Sequence, residues 1–256
     1  MEEIQREKEK NYALPGSIVL AAILISGSIF YVSGKAGEPS GVVAPKLTAE
    51  QLALVGGVTA SPEGRDVVIG DPKAPVTMIE YADYQCPFCG RFYKQTLPRV
   101  IEAYVKTGKV KLIHRNFAFL GPESFAAAEA AECAKDQGKF WPYQFSLYEE
   151  EQRDGREHNG NLAKDLFLAI AGNLKMDKKA FASCVDERTY ARAVTDEVAQ
   201  GQKDGVSSTP TFLVNGEKVI GALPFESFAD AEGVMHDGFQ AILDRAVDKA
   251  VEAVSK

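Results

Sequence analysis

The sequence predicts an α/β fold in which a helical block separates two groups of strands. Residues 76–85 form a run of apolar, β-branched and aromatic residues that is typical of a buried strand. Residues 90–104 carry apolar side chains at spacings of three and four, which indicates a helix, and residues 121–205 are helical in pattern. Residues 210–220 predict a hairpin, because an Asn-Gly pair separates two apolar runs.

Composition sets the broad class of the protein. The chain has 256 residues, of which 45% are apolar, so it can bury a sizeable core. Its net charge of −7 and the absence of Lys/Arg clusters argue against nucleic-acid binding. The four cysteines are too few for a disulfide-stapled mini-fold, and an even number permits one redox pair and one structural pair.

The N-terminal segment predicts a membrane anchor. Residues 1–10 are charged, whereas residues 11–34 carry no charge and are long enough to cross a hydrocarbon core of about 30 Å as a helix. We expect residues 1–10 in the cytoplasm and a single pass through the cell membrane, which places the rest of the chain on the extracytoplasmic side. A cleaved signal peptide and a buried core helix are the alternatives.

The remaining chain divides into a tether and one domain. Residues 35–64 are rich in Gly, Pro, Ser and Ala, which is typical of a flexible linker, and residues 65–256 form the globular part. The predicted strands are 66–70, 76–85, 109–117, 210–214 and 217–220. The predicted helices are 90–104, 122–134, 140–150, 162–171, 178–185, 186–204 and a C-terminal helix that includes 239–254.

The segment Cys86-Pro87-Phe88-Cys89 is the strongest candidate for chemistry. It lies where a predicted strand gives way to a helix N-terminus, and the backbone N–H groups and helix dipole there stabilise a thiolate. Pro87 suits the first helical turn, where its missing N–H costs nothing. A structural disulfide or two inert thiols is the alternative.

Several separated motifs resemble those of one family in the same order. They are DYQCPFC at 83–89, RNF at 115–117, QGKFW at 137–141 and GVSSTPTFLVNG at 205–216. Together they are similar to the DsbA-like thiol–disulfide oxidoreductases of the thioredoxin superfamily. The resemblance covers residues 65–256 and implies a thioredoxin fold with an α-helical insertion at about 121–205. We expect no cofactor and no metal.

The resemblance also implies roles for individual residues. Cys86 is expected to attack and Cys89 to resolve the mixed disulfide. Pro210 is expected to follow a cis bond, with the backbone of Thr209 aligning a substrate peptide. Glu80 matches a buried acid that passes a proton to the resolving thiol. A trans Pro210 and a surface Glu80 are the simpler alternatives.

The second cysteine pair is expected to have a structural role. Cys133 and Cys184 match a pair found in some relatives, which implies a disulfide, and two buried reduced cysteines are the alternative.

A zinc site built from all four cysteines fails on spacing, and the three histidines form no ligand pattern. The acidic run 149–151 is expected to be a solvated face.

The resemblance leaves the direction of electron flow open. Strongly oxidising relatives often carry histidine between the cysteines, where this chain has Phe88. The leading hypothesis is a dithiol oxidase that introduces disulfides into exported proteins and is recycled by a membrane redox partner. A reductase or isomerase of the same fold, and a non-catalytic membrane-anchored binding or chaperone module, are the alternatives.

Overall fold

The computed structural model describes residues 66–153 and 159–255. The predicted cytoplasmic segment 1–10, anchor 11–34 and tether 35–64 lie outside these residues. Within the described ranges, no helix is both long and apolar enough to cross a membrane.

A five-stranded mixed sheet forms the centre of the domain, in the order β1-β3-β2-β4-β5. Strands β2 and β3 are parallel, and the other three pairings are antiparallel. Because β2 is the third of the five strands, the residues that follow its carboxyl end lie over the middle of the sheet. The strands are β1 (Val67–Ile69), β2 (Val76–Ala82), β3 (Val110–Asn116), β4 (Thr211–Val214) and β5 (Glu217–Ile220).

A continuous helical run follows β2 and contains two π-helical turns. Its segments are α1 (Pro87–Arg91), the π-helical turn Phe92–Thr96, α2 (Leu97–Val100) and the π-helical turn Ile101–Val105. Pro98 lacks an N–H and its ring would clash with the carbonyl four residues earlier in a regular α-helix. The wider turn before it accommodates this ring, and there the N–H of Leu97 donates to the carbonyl of Phe92, five residues back.

Five helices lie between β3 and β4, which confirms the predicted helical block, although residues 154–158 within it are outside the described ranges. They are α3 (Pro122–Lys135), α4 (Phe140–Glu151), α5 (Lys164–Asn173), α6 (Lys178–Asp186) and α7 (Ala191–Lys203). The predicted solvated face at 149–151 is wrong for Glu150 and Glu151, which are both buried. The reason is that α4 packs against α1, α3 and α5, so little of its circumference faces solvent.

The C-terminal part completes the sheet and covers it. The predicted hairpin is confirmed: Asn215 and Gly216, between β4 and β5, have φ values of 47° and 87°, as a tight turn with two positive φ angles requires. A small second sheet that the sequence did not predict follows, formed by β6 (Phe228–Ala229) and β7 (Met235–His236). Helix α8 (Phe239–Val254) ends the chain's regular structure.

The sheet is covered on both faces. On the face with the larger hydrophobic core, the rings of Phe92, Phe212 and Phe239 pack with centroid distances of 4.6–5.3 Å. On the opposite face Tyr81 and Phe117 pack beneath α7 at Gly201. A Cβ at Gly201 would lie 2.6 Å from the Phe117 ring, so this close helix–sheet approach requires glycine.

Candidate active site

Cys86 lies at the N-cap of α1, just beyond the carboxyl end of the central strand β2. Its φ and ψ of −82° and 118° are extended, and its carbonyl accepts the first helical hydrogen bond, from the N–H of Gly90 at 3.2 Å. Strand β2 ends at Ala82, three residues earlier than predicted, because residues 83–86 close a turn through the N–H of Cys86 and the carbonyl of Asp83. Cys86 is mostly buried and Cys89, one helical turn onward, is fully buried; both are thiols.

The turn that carries Cys86 is held by Asp83, a residue the sequence reasoning did not single out. Its buried carboxylate accepts hydrogen bonds from the backbone N–H groups of Gln85, Phe119 and Leu120 and from the hydroxyl of Ser124. Four donors on one carboxylate fix the loop before α1 against the loop before α3. The position of the redox pair is therefore set jointly by the sheet and the helical block.

The first turn of α1 is also held from α4. Gln152 Nε2 donates to the carbonyl of Pro87 at 3.2 Å, and its amide lies over Gly90. A Cβ at Gly90 would lie 1.3 Å from Gln152 Nε2, so glycine is what lets this side chain reach the helix. The contact fixes α1 against the end of α4.

The two cysteines have opposite acidities. The pKa of Cys86 falls from an ordinary 9.0 to about 6, first because the Cys89 thiol donates a hydrogen bond to it. Burial opposes this lowering, and the Thr209 side chain and the N–H groups of Cys89 and Phe88 add to it. The pKa of Cys89 is raised well above 9.0, mainly by burial. A lowered pKa suits Cys86 to act as a nucleophile and leaving group, whereas the raised pKa of Cys89 favours its thiol form.

The bond between Thr209 and Pro210 is cis. The carbonyl of Thr209 accepts a hydrogen bond from the Cys86 thiol at 3.3 Å, although the two residues are 123 positions apart in sequence. Thr209 is 8% exposed, and its hydroxyl has no hydrogen-bond partner among the described residues, so it is available to donate to the Cys86 sulfur. The backbone before Pro210 thus lies directly beside the nucleophilic sulfur.

Glu80 lies on central strand β2 and is fully buried. Its Oε2 atom lies 3.4 Å from Nδ1 of His114, its direct neighbour in the register of β2 and β3. Gln144, on α4, places Nε2 3.0 Å from the same ring nitrogen. The negative charge of Glu80 contributes to the raised pKa of Cys89. The sequence indicated Glu80 only. The burial of His114 beside Glu80, and of Gln144 beside His114, depends on packing between β3 and α4.

Cys133 on α3 and Cys184 on α6 form a disulfide with a Cα–Cα distance of 6.0 Å. This disulfide links two helices of the inserted block and does not involve Cys86 or Cys89. Among the described residues, no cluster of three or more His, Cys, Asp or Glu side chains has the arrangement of a metal site.

A reduced cysteine pair with opposed acidities, at a helix N-terminus and beside a cis-proline loop, defines the class of thiol–disulfide oxidoreductases. A family model described as Thioredoxin matches residues 63–231, and the chain belongs to this family. The described domain has the thioredoxin fold, with helices inserted between β3 and β4, and DsbA-like structural neighbours.

The curated relatives include proteins of two kinds. Disulfide bond formation protein D of Bacillus subtilis (strain 168) is 30% identical over 174 residues, which cover 65% of this chain and 72% of that protein. Na(+)/H(+) antiporter NhaA 1 of Salinispora arenicola (strain CNS-205) is 34% identical over 169 residues. That match covers 65% of this chain and 24% of the antiporter, so the chain spans about a quarter of the length of that relative.

Solved structures agree with the first group. The crystal structure of oxidised BdbD from Bacillus subtilis aligns with a TM-score of 0.59 at 26% identity. The alignment covers 72% of this chain and 94% of that one, so nearly all of that structure has a counterpart here.

Proposed function

We propose that this protein is an extracytoplasmic, membrane-anchored dithiol oxidase that transfers its Cys86–Cys89 disulfide to exported proteins. The observation that carries the proposal is the opposed acidity of the two thiols, with the pKa of Cys86 at about 6 and that of Cys89 well above 9.0. The kinship to disulfide bond formation protein D supports the same reaction class.

A lowered pKa at Cys86 favours an oxidising site. With a pKa of about 6, roughly nine tenths of Cys86 is thiolate at pH 7. The interactions that stabilise this thiolate exist only in the reduced protein, so they make the Cys86–Cys89 disulfide easier to reduce. A disulfide that is easily reduced is a good donor to other thiols. The exposed Phe88 does not prevent this, because the largest stabilisation comes from Cys89.

The reaction proceeds in two exchanges. A substrate thiolate attacks Sγ of Cys86, the Cys86–Cys89 bond breaks, and Sγ of Cys89 receives the electron pair and a proton. A second substrate thiolate then attacks the substrate sulfur of the mixed disulfide. That step forms the substrate disulfide and releases Cys86 as its stabilised thiolate. Two substrate thiols are oxidised and one enzyme disulfide is reduced, and no cofactor is required.

Thr209 and Pro210 present the substrate in this proposal. The backbone before the cis bond lies 3.3 Å from Sγ of Cys86, so a peptide that pairs with it as an added strand brings its own cysteine to the reacting sulfur. Main-chain pairing of this kind tolerates many sequences. That suits an enzyme that acts on diverse exported proteins.

A groove beside the redox pair supports binding of a polypeptide. It has a volume of about 860 Å³ and runs between the active-site helix and the segment after β5. Phe88, which is 49% exposed, and Arg91, whose guanidinium carbon lies 5.0 Å from the Phe88 ring centroid, form its wall nearest the cysteines. The mixture of exposed aromatic and cationic groups suits an unfolded chain.

We place the domain outside the cytoplasm, with residues 11–34 as its anchor. The Cys133–Cys184 disulfide supports this location, because structural disulfides persist in oxidising compartments. A disulfide-bearing membrane partner would take the two electrons from the reduced Cys86–Cys89 pair and restore its disulfide.

The test is transfer of oxidising equivalents to a reduced, unfolded protein that has two cysteines. The oxidised protein should remove two substrate thiols per Cys86–Cys89 disulfide, and the Cys133→Ala/Cys184→Ala variant should do the same. Cys86→Ser should be inactive. Wild-type protein no faster than Cys86→Ser would refute the proposal. Reshuffling of a scrambled substrate without net thiol loss would instead establish an isomerase.

A further inference from the structure

The groove beside the redox pair contains two arginines that have the same aromatic support. Arg91 and Arg99 both come from the helical run that follows Cys86, and both line the groove of about 860 Å³. The guanidinium carbon of Arg91 lies 5.0 Å from the ring centroid of Phe88. The guanidinium carbon of Arg99 lies 4.3 Å from the ring centroid of Phe225. The two positions therefore share a residue type and a cation–π contact.

The charge of Arg99 is compensated within the groove. Its Nη1 atom forms an ion pair with Glu226, which lies on the opposite wall. The hydroxyl of Thr96 donates to the carbonyl of Leu223 at 3.1 Å and so holds this wall against the helical run. The end of the groove that is farther from the cysteines thus contains a balanced pair of charges.

Arg91 has no such compensation. Within residues 66–153 and 159–255, no carboxylate pairs with its guanidinium. The acidic residue that lines the groove, Glu226, is already held by Arg99. Farther along the same helical run, Glu102 pairs with Lys106. The end of the groove nearest the redox pair therefore carries an uncompensated positive charge.

This local charge is opposite in sign to that of the whole chain. The sequence has 36 Asp and Glu residues against 29 Lys and Arg residues, which gives the net charge of −7. An acidic peptide is repelled by this net charge and attracted at Arg91. A single cation beside the nucleophile can therefore decide where such a peptide binds.

The contact with Phe88 prepares the Arg91 side chain to bind a carboxylate. A guanidinium that lies over a ring keeps the N–H groups along its edge, and these can donate in pairs to the two oxygens of a carboxylate. The ring contact also restricts the side chain before binding. Less conformational entropy is then lost when the ion pair forms.

Arg91 lies within reach of a substrate peptide bound at the redox pair. It follows Cys86 by five residues, which is a rise of about 7.5 Å along a helix. An extended peptide covers about 3.3 Å per residue, so the second or third residue from the substrate cysteine lies beside Arg91. An aspartate or glutamate at that position can pair with the guanidinium while the cysteine reaches Sγ of Cys86.

We propose that Arg91 is a specificity-determining residue that selects substrate segments with an acidic residue two or three positions from the reacting cysteine. The proposal rests on the proposed function, because it concerns the peptides that the Cys86–Cys89 disulfide oxidises. Main-chain pairing with Thr209 discriminates little between sequences, so selection among substrates comes from side chains of the groove. The ion pair forms as the peptide binds and takes no part in the exchange between sulfur atoms.

The test measures how fast reduced peptides remove the disulfide of the oxidised full-length protein. Three peptides each have two cysteines and differ in the residues two and three positions from them, which are Glu, Gln or Lys. Acid-quenched samples are analysed by liquid chromatography. Each peptide's rate constant with a variant is divided by its own rate constant with wild-type protein, so differences in peptide thiol acidity cancel.

Arg91→Gln should slow the Glu peptide about fivefold at low ionic strength, as expected for one exposed ion pair, and change the rate for the Gln peptide by less than about twofold. Because the pair is exposed, the effect on the Glu peptide should shrink in about 0.5 M salt. Arg91→Lys should restore a preference for the Glu peptide, smaller than in wild-type protein because lysine lacks the planar guanidinium.

Lys94→Gln is the matched control, because it removes the same charge from an exposed position of the same helical run, outside the groove. It should keep the wild-type rate constants for all three peptides. An equal effect of Arg91→Gln on the Glu, Gln and Lys peptides, or an equal loss of preference in Lys94→Gln, would refute this proposal and leave the proposed function intact. No reaction of wild-type protein with any of the peptides would refute the proposed function.

Discussion

The Sγ atom of Cys86 lies 3.3 Å from the carbonyl oxygen of Thr209, across a gap of 123 residues in sequence. Thr209 is the residue that precedes the cis bond to Pro210. One contact therefore joins the two halves of the fold, the strand–helix unit that carries the nucleophile and the hairpin that begins with β4.

Thr209→Val should raise the pKa of Cys86 while leaving its backbone contact in place. The Thr209 side chain contributes to the lowered pKa of Cys86, and valine keeps the shape of threonine without the hydroxyl. Thiolate absorbance of the reduced protein as a function of pH measures the shift. Thr211→Val is the matched control, since the Thr211 hydroxyl donates to the carbonyl of Ser208 and not to the sulfur. Equal midpoints in all three proteins would contradict the prediction.

Cys89→Ala should raise the pKa of Cys86 further than Thr209→Val does. The hydrogen bond from Cys89 is the largest cause of the lowering, so its loss moves the midpoint from about 6 toward the ordinary 9.0. The rate of Cys86 alkylation by iodoacetamide across pH reports the midpoint directly. A midpoint that stays near 6 in Cys89→Ala would show that the backbone N–H groups alone stabilise the thiolate.

The stability of the reduced protein should rise from pH 6 to pH 8 because of Cys86. Its pKa is lower in the folded state, about 6 against 9.0, so its contribution is fully present above pH 9 and is lost as the pH falls through 6. The raised pKa of Cys89 changes the free energy of unfolding only above pH 9. Urea unfolding at pH 6 and pH 8 should show this gain in wild-type protein and a smaller one in Cys86→Ala. Equal gains would contradict it.

Replacing both cysteines of the second disulfide should lower stability without abolishing turnover. The Cys133–Cys184 bond has a sequence separation of 51, and closing such a loop contributes roughly 4 kcal/mol in the chain-entropy model. We expect Cys133→Ala/Cys184→Ala to lower the free energy of unfolding by about 2–4 kcal/mol, measured by urea titration. An unchanged unfolding midpoint would show that the bond does not stabilise the inserted helices.

The order of strands and helices was predictable from the sequence because each element carries its own periodicity. The helix after Cys86 shows both the strength and the limit of this reasoning. Its apolar spacing predicted the helix, and Pro87 suited its first turn, but the two π-helical turns depend on Pro98 and on packing against Phe212 and Phe239. The buried Glu150 escaped prediction because no local pattern states which neighbours cover a helix.

The candidate site was likewise only partly predictable from the sequence. The spacing of Cys86 and Cys89 is visible in the sequence, and the family resemblance pointed to Pro210. His114 and Gln144 carried no local signal, because His114 contacts Glu80 34 positions away and Gln144 contacts His114 30 positions away. Only the register of β2 with β3 and the packing of α4 bring them together.

The reduction potential of the Cys86–Cys89 pair, measured at pH 7 by equilibration with glutathione, tests the central claim most directly. A dithiol oxidase with a stabilised Cys86 thiolate should have a potential above about −180 mV, in the oxidising part of the thioredoxin-fold range. A potential near about −270 mV, the value of thioredoxin, would contradict the account and make the protein a reductase.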